Sequence, residues 1–99
     1  MRFFAFATLL LALAMPAAAA GDPKIGKTLH DQHCVSCHAR EFGGDGSGIY
    51  TRSPRLVNDK TELAQRVAMC AALTGARWIP ADEANVVAYL NQRFYKFKQ

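Results

Sequence analysis

The segment "HDQHCVSCHAR", residues 30 to 40, places three histidines and two cysteines within nine positions. Imidazoles and thiols at this density can ligate a metal, form a redox-active dithiol or attach a larger group to the chain. The length, the charge and the other motifs of the chain decide among these three possibilities.

Within this segment Cys34, Cys37 and His38 form the pattern C-x-x-C-H. The pattern is typical of c-type haem attachment, in which two thiols add to the two vinyl groups of haem. The adjacent histidine then ligates the iron from the proximal side. The pattern therefore predicts Cys34 and Cys37 as attachment residues for one covalent haem c and His38 as an iron ligand.

Three other interpretations of these residues are open. A redox-active dithiol also uses C-x-x-C, but beside a βαβ pattern, which this chain does not show. A structural disulfide would leave His38 beside the cysteines by coincidence. A structural zinc site needs four ligands, commonly in two separated pairs. All but one of the candidate zinc ligands crowd into a single segment, the set being His30, His33, Cys34, Cys37 and His38 together with the distant Cys70.

The first twenty residues, "MRFFAFATLLLALAMPAAAA", are typical of a secretory signal peptide. Arg2 gives the basic start, residues 3 to 15 the apolar core, and the alanines the small residues before a cleavage site. The apolar run is shorter than the about 20 residues of a spanning helix. We expect cleavage after Ala20, or equivalently after Ala19, and export to the bacterial periplasm.

Cleavage would leave one domain, residues 21 to 99, with eleven Lys and Arg against eight Asp and Glu, a net charge of +3. A domain of this size usually needs disulfides, a metal or a cofactor for stability. Three cysteines can form only one bridge, which favours a cofactor. The basic residues form no dense run and give no nucleic-acid signature, but they are compatible with an acidic redox partner.

The chain predicts an all-α fold of about three helices and shows no strand pattern. Asp22 can cap a first helix that begins at Pro23 and runs to about Cys34. Residues 39 to 54 carry glycine or proline at five positions and predict a loop, whose most flexible part is expected near residues 43 to 48.

Two more helices follow. Asp59 with Glu62 resembles a capping box and Gly75 is a typical helix stop. Pro80 can open the last helix. The apolar faces predicted for the two helices are Leu63, Val67, Cys70 and Thr74 in the first and Val86, Val87, Leu90 and Phe94 in the second.

The chain resembles the small bacterial class I cytochromes c, which carry a single haem. The resemblance rests on "GKTLHDQHCVSCH", residues 26 to 38, and on "PADEANVVAYLNQRF", residues 80 to 94. It implies that the first and last helices cross through a glycine and an aromatic residue, at Gly26 and Tyr89. It also implies a non-enzymatic monomer that transfers electrons between partner proteins, without a membrane span after cleavage.

The resemblance also implies an axial ligand on the distal side of the iron. The family usually supplies a methionine, and Met69 is the one methionine after residue 20. The family ligand usually lies in an extended loop, whereas Met69 lies in a predicted helix and off its apolar face. His30 and His33 are the next candidates, although we expect both at the surface of the first helix. An open distal position would instead indicate a gas-binding or sensor haem protein.

Several residues have secondary roles in this interpretation. Cys70 is predicted to be a buried free thiol, with an intermolecular disulfide as the alternative. In the family a proline carbonyl often accepts a hydrogen bond from the proximal histidine, and the first proline after His38 is Pro54. The candidates for contact with the haem propionates are Tyr50, Arg52, Arg55 and Trp78.

Overall fold

The computed structural model describes residues 21 to 98, and every regular element in that range is helical. The elements are α1 (Pro23–His33), α2 (Val35–Phe42), α3 (Gly48–Thr51), α4 (Lys60–Thr74), α5 (Pro80–Leu90) and a π-helical turn over Asn91–Tyr95. The predicted all-α fold is confirmed for this part of the chain. The three predicted helices are α1, α4 and α5, and the predicted signal peptide lies outside the described residues.

Side-chain caps explain where the predicted helices begin. The carboxylate of Asp22 accepts a hydrogen bond at 2.9 Å from the amide two residues on, with Pro23 in the first helical position. Asp59 accepts from the amide of Glu62 at 2.8 Å. Gly75 ends α4 in the left-handed region, with φ of 69°, which costs glycine little. These local signals therefore predicted the helix boundaries correctly.

The loop predicted for residues 39 to 54 is wrong at residues 39 to 42 and 48 to 51, which are helical, and is confirmed at residues 43 to 47 and 52 to 54. The helix α2 continues to Phe42, because Ala, Arg, Glu and Phe tolerate helical backbone and the first strong stop is Gly43. A further helical turn, α3, follows the glycines. Only residues 43 to 47 lie between these two helices.

The helices α1 and α5 cross at Gly26. A Cβ atom on Gly26 would overlap the carbonyl oxygen of Asn85 and would lie 2.9 Å from the Cβ atom of Tyr89. Only glycine allows the two backbones to approach this closely. The amide of Asp22 also donates to the side chain of Asn85 at 2.8 Å. The predicted pairing of Gly26 with Tyr89 is confirmed.

The core lies between α4, α5 and the segment around α3. Its buried residues are Tyr50, Val57, Leu63, Val67, Val86, Val87, Leu90 and Tyr95. The predicted apolar faces are therefore largely confirmed. Thr74 is the exception, since it is exposed at the last turn of α4.

The π-helical turn changes the register after α5. The wider turn places Tyr95 in the core and leaves Phe94 half-buried against it. Asn91 then holds the chain beyond this turn, because its side chain accepts from the amide of Phe97 at 2.7 Å and donates to its carbonyl oxygen at 3.0 Å. A single continuous helix, as the sequence pattern indicated, would not bring these groups together.

The hydropathy of the helices bears on membrane insertion. Among residues 21 to 98, none of the helices combines the length and the apolar character that crossing a bilayer requires.

Candidate functional site

A cavity of about 170 Å³ lies beside the core, and both Cys34 and His38 line it. The rest of the lining is mostly apolar, with Arg66 as a charged member, and comes mainly from α3, α4, α5 and the segment before α4. It includes Ile49, Val57, Leu63, Val67, Val86 and Leu90. The structure therefore places two of the three residues of the C-x-x-C-H pattern at an apolar cavity.

The junction of α1 and α2 explains this placement. Cys34 separates the two helices, and its amide donates to the carbonyl oxygen of His30 at 2.8 Å. The amide of His38 in turn donates to the carbonyl oxygen of Cys34 at 3.1 Å. Because residues four apart share one helical face, Cys34 and His38 both reach the cavity. Cys37 is half-buried and is not part of the lining.

The backbone of the glycine segment packs directly on His38. A Cβ atom on Gly46 would lie 2.7 Å from the Cβ atom of His38, and the φ of Gly46 is 84°. Both the contact and the backbone conformation favour glycine here. The segment read from sequence as the most flexible part of the chain therefore contributes to the position of His38.

A chain of hydrogen bonds runs from the surface to His38. Lys27 Nζ donates to Asp31 Oδ2 at 2.6 Å, and Asp31 Oδ1 lies 3.3 Å from His30 Nδ1. His30 Nε2 lies 2.8 Å from Tyr50 Oη. Tyr50 Oη lies 2.9 Å from His38 Nδ1. We call these five residues the hydrogen-bond chain.

The charges along the hydrogen-bond chain follow from burial and from its ion pair. Burial lowers the pKa of His30 and of His38, so both imidazoles are neutral at pH 7. The hydrogen bond from the lysine lowers the pKa of Asp31, so its carboxyl is ionised. Burial raises the pKa of Tyr50, so its phenol keeps the proton. The buried part of the chain is therefore uncharged and its exposed end is an ion pair.

The surface position expected for the two other histidines is wrong for His30. His30 is only 6 % exposed, because it lies four residues before Cys34 and therefore on the inward face of the helix at the junction of α1 and α2. His33 is exposed, as expected, and its ring meets the ring of Trp78 edge-on with centroids 5.6 Å apart.

The predicted distal ligand is not at the cavity. Met69 is 43 % exposed and lines a neighbouring surface cleft, which shares Arg66 with the cavity. The next residue, Cys70, lines the cavity instead. Successive residues of an α-helix point about 100° apart, so neighbours on α4 face different surroundings. The structure brings Cys34, His38 and Cys70 to one cavity and leaves Met69 outside it.

Cys34, the first thiol of the C-x-x-C pattern, lacks the lowered pKa of a redox-active thiol. Burial raises the pKa of Cys34 to about 11, and burial also raises the pKa of Cys70. Reactive thiols in redox motifs have a lowered pKa instead. All three cysteines are free thiols.

Within residues 21 to 98, no group of three or more His, Cys, Asp or Glu side chains is placed to hold a metal ion.

The candidates for propionate contacts differ in what they already bind. Arg55 lies over the ring of Tyr95 at 5.6 Å and donates to its carbonyl oxygen at 3.3 Å. Arg52 lies over the ring of Phe42 at 5.7 Å. Trp78 lines the cavity, and its buried Nε1–H has no hydrogen-bond partner in the described part of the chain. Trp78 is therefore the candidate whose donor is buried at the cavity and without a partner.

Tyr50 is the residue of this site whose contacts the sequence did not reveal. It was a candidate for a propionate contact, but its hydroxyl is already bonded to both histidines. Its hydroxyl oxygen also lies at His38 Nδ1, where the resemblance implied a proline carbonyl such as that of Pro54 as the hydrogen-bond partner. No spacing rule connects Tyr50 with His38, because the contact depends on how α3 folds back on α2.

Comparisons of this chain with protein-family models, with curated proteins and with solved structures gave no match.

Proposed function

We propose that this protein is an exported electron carrier of the bacterial periplasm with one covalently attached haem c. The proposal is carried by the C-x-x-C-H pattern together with the position of Cys34 and His38 in the lining of one apolar cavity. Cys34 and Cys37 would hold the haem and His38 would ligate its iron. A bound haem supplies an iron that takes up and releases one electron.

The residues at the cavity fit such a group in their chemistry. The lining is mostly apolar, as a porphyrin ring requires, and Trp78 offers an unpaired indole N–H to a propionate. In the described residues His38 Nδ1 is bonded to Tyr50, whereas no hydrogen bond occupies His38 Nε2. The cavity of about 170 Å³ is smaller than the about 300–1,000 Å³ of most ligand pockets. Binding therefore requires its sides to separate and Cys37 to turn inward.

The chain's own contribution would be positional and electrostatic. Buried apolar side chains such as Leu63 and Val86 keep water away from the cavity. Contacts with Tyr50 and Gly46 hold His38 from two sides. We propose no bond-making reaction. The partners would be donor and acceptor proteins, and the net charge of +3 predicted for the exported chain would give a mild attraction toward an acidic partner.

The first experiment tests covalent attachment. The full chain is produced for export in a host that attaches c-type haem, and its mass and its pyridine haemochrome spectrum are measured. We expect one haem per chain in the parent and in Cys70→Ala, which removes the cavity thiol outside the motif. The double variant Cys34→Ala with Cys37→Ala should carry no covalent haem. A colourless parent, or covalent haem in the double variant, would contradict the proposal.

For the distal side of the iron we propose Met69, as the resemblance implies. Its support is that it provides the one thioether in the described residues, directly before the cavity residue Cys70. To bring its sulfur to the cavity, α4 would have to rotate by about 100°, the angle between successive residues of a helix. In the structure as it stands the side chain points away.

The outward position of Met69 favours a second candidate function, a haem protein with an open distal position that binds a small gas. The two functions differ in the spectrum. A sulfur-to-iron band in the near-infrared that disappears in Met69→Ala and persists in Cys70→Ala indicates the carrier. A high-spin ferric spectrum, unchanged by Met69→Ala, with ready carbon monoxide binding after reduction, indicates the gas-binding protein.

A further inference from the structure

We propose that Lys27, Asp31, His30 and Tyr50 form a directional relay of hydrogen bonds that fixes His38 with its proton on Nδ1 and a bare lone pair on Nε2. The direction of the relay follows from the described residues alone. Its use, holding the nitrogen that would ligate iron, rests on the proposed function.

The direction is set at the exposed end. The ammonium of Lys27 has only donors and lies 2.6 Å from Asp31 Oδ2. The ionised carboxylate of Asp31 has only acceptors, so its other oxygen must receive a hydrogen from His30 Nδ1 at 3.3 Å. The opposite arrangement would set two lone pairs against each other. His30 therefore carries its proton on Nδ1.

The remaining hydrogens follow one by one. A neutral imidazole has one N–H, so His30 Nε2 is an acceptor and the hydroxyl of Tyr50 donates to it at 2.8 Å. The only hydrogen of the phenol is used in the bond to His30, so the phenol oxygen can only accept a hydrogen bond from the Nδ1–H of His38, at 2.9 Å. His38 Nε2 is then left with its lone pair.

This relay does more than restrict a side chain. A metal-ligating histidine is oriented and made more basic when its other ring nitrogen donates to an acceptor. The acceptor here is a phenol oxygen that is itself donating to His30, which increases the electron density on that oxygen. A more basic His38 stabilises ferric over ferrous iron. Tyr50, His30 and Asp31 are therefore positioning residues that lower the reduction potential.

The first test reads the relay directly. Nitrogen-15 NMR of the ring nitrogens of the purified exported protein reports which nitrogen of each histidine carries the proton. We expect His30 to be protonated on Nδ1, and we expect Asp31→Ala to shift that proton toward Nε2. A parent protein with His30 protonated on Nε2 would overturn the relay. This readout does not depend on haem, so a haem-free protein would contradict the proposed function without deciding the relay.

The second test reads the effect on iron. In the haem-loaded protein Tyr50→Phe keeps the ring and removes the acceptor, so the reduction potential should rise by about 59 mV, a tenfold change for one electron. Tyr89→Phe is the matched control, because its ring also packs on His30 with centroids 5.2 Å apart and its hydroxyl has no hydrogen bond in the described residues. Equal potentials in the two variants would contradict the inference.

Substitutions of His30 separate the relay from packing. The side-chain amide of His30→Gln can accept from Tyr50 where Nε2 does, so this variant should keep the parent potential. In His30→Leu the hydroxyl of Tyr50 loses its acceptor, so its oxygen becomes a weaker acceptor for the Nδ1–H of His38. The potential should therefore rise, by less than in Tyr50→Phe. If both variants shift the potential equally, only the packing of residue 30 matters and the relay is wrong.

Discussion

Two sides of the cavity are held together by different kinds of contact. On the histidine side, formed by Tyr50 and His38 with His30 behind them, successive hydrogen bonds fix the side chains at 2.8 and 2.9 Å. On the α4 side, Leu63 and Val67 are buried without any polar contact of their side chains. Hydrogen bonds are directional and apolar packing is not. The histidine side therefore resists rotation of its groups, whereas the α4 side contributes stability and tolerates small shifts of the helix.

The largest expected effect tests the α4 side. Leu63 is 1 % exposed, so Leu63→Ala should lower the free energy of unfolding by about 2–5 kcal/mol through lost burial and a new cavity. Denaturant unfolding measures the change. The control is Leu73→Ala, because Leu73 lies on the same helix and is 78 % exposed. This variant should lower the free energy of unfolding by about 0.5 kcal/mol or less. Similar losses in both variants would show that α4 is not packed on the core by this face.

An intermediate effect is expected at the helix crossing that supports the histidine side. Gly26→Ala would force its new methyl group against the backbone of Asn85, so α1 must move from α5 at a cost of about 1–3 kcal/mol. Gly48→Ala is the control, because a Cβ atom at residue 48 meets nothing within 4 Å, and it should not destabilise the protein. Thermal unfolding measures the loss of stability in each of the two variants. A neutral Gly26→Ala would mean that the backbones do not approach as described.

The smallest expected effect is a difference in pH response between the two sides. The pKa of His30 is lowered by burial below the usual value of 6.5, so the unfolded chain binds its proton more readily than the folded chain. Stability from the histidine side is thus fully present above pH 6.5 and decreases as the pH falls below it. Urea unfolding at pH 7 and pH 5 should show a smaller decrease for His30→Gln than for the parent. An equal decrease in both would place the acid sensitivity elsewhere.

Local chemistry made much of this molecule predictable from sequence. The caps at Asp22 and Asp59 and the stop at Gly75 act over three or four residues, so their signals are contained in the adjacent sequence. The close approach at Gly26 was also predicted, although this prediction came from the resemblance to the class I cytochromes c and not from a local signal. In each case the decisive contact involves backbone whose position a helix already determines.

The surroundings of His38 were less predictable because they depend on tertiary contacts. The burial of His30 requires α2 to continue the inward face of α1 across Cys34, and the position of Tyr50 requires the short α3 to fold back. Neither arrangement has a local signal. The orientation of Met69 was better indicated, since helical periodicity already placed it off the apolar face of α4, and its proposed role came from resemblance rather than from geometry.

The contact between Asp22 and Asn85 has a consequence for folding kinetics. It joins residues 63 positions apart, so forming the crossing of α1 and α5 closes a loop at an entropic cost of about 4 kcal/mol beyond a constant. Contacts of such sequence separation form slowly and require both helices to exist. During synthesis α1 must therefore wait for α5. In that interval the cavity lacks its α5 residues Val86 and Leu90, which leaves the thiol of Cys34 open to chemical modification before the fold is complete.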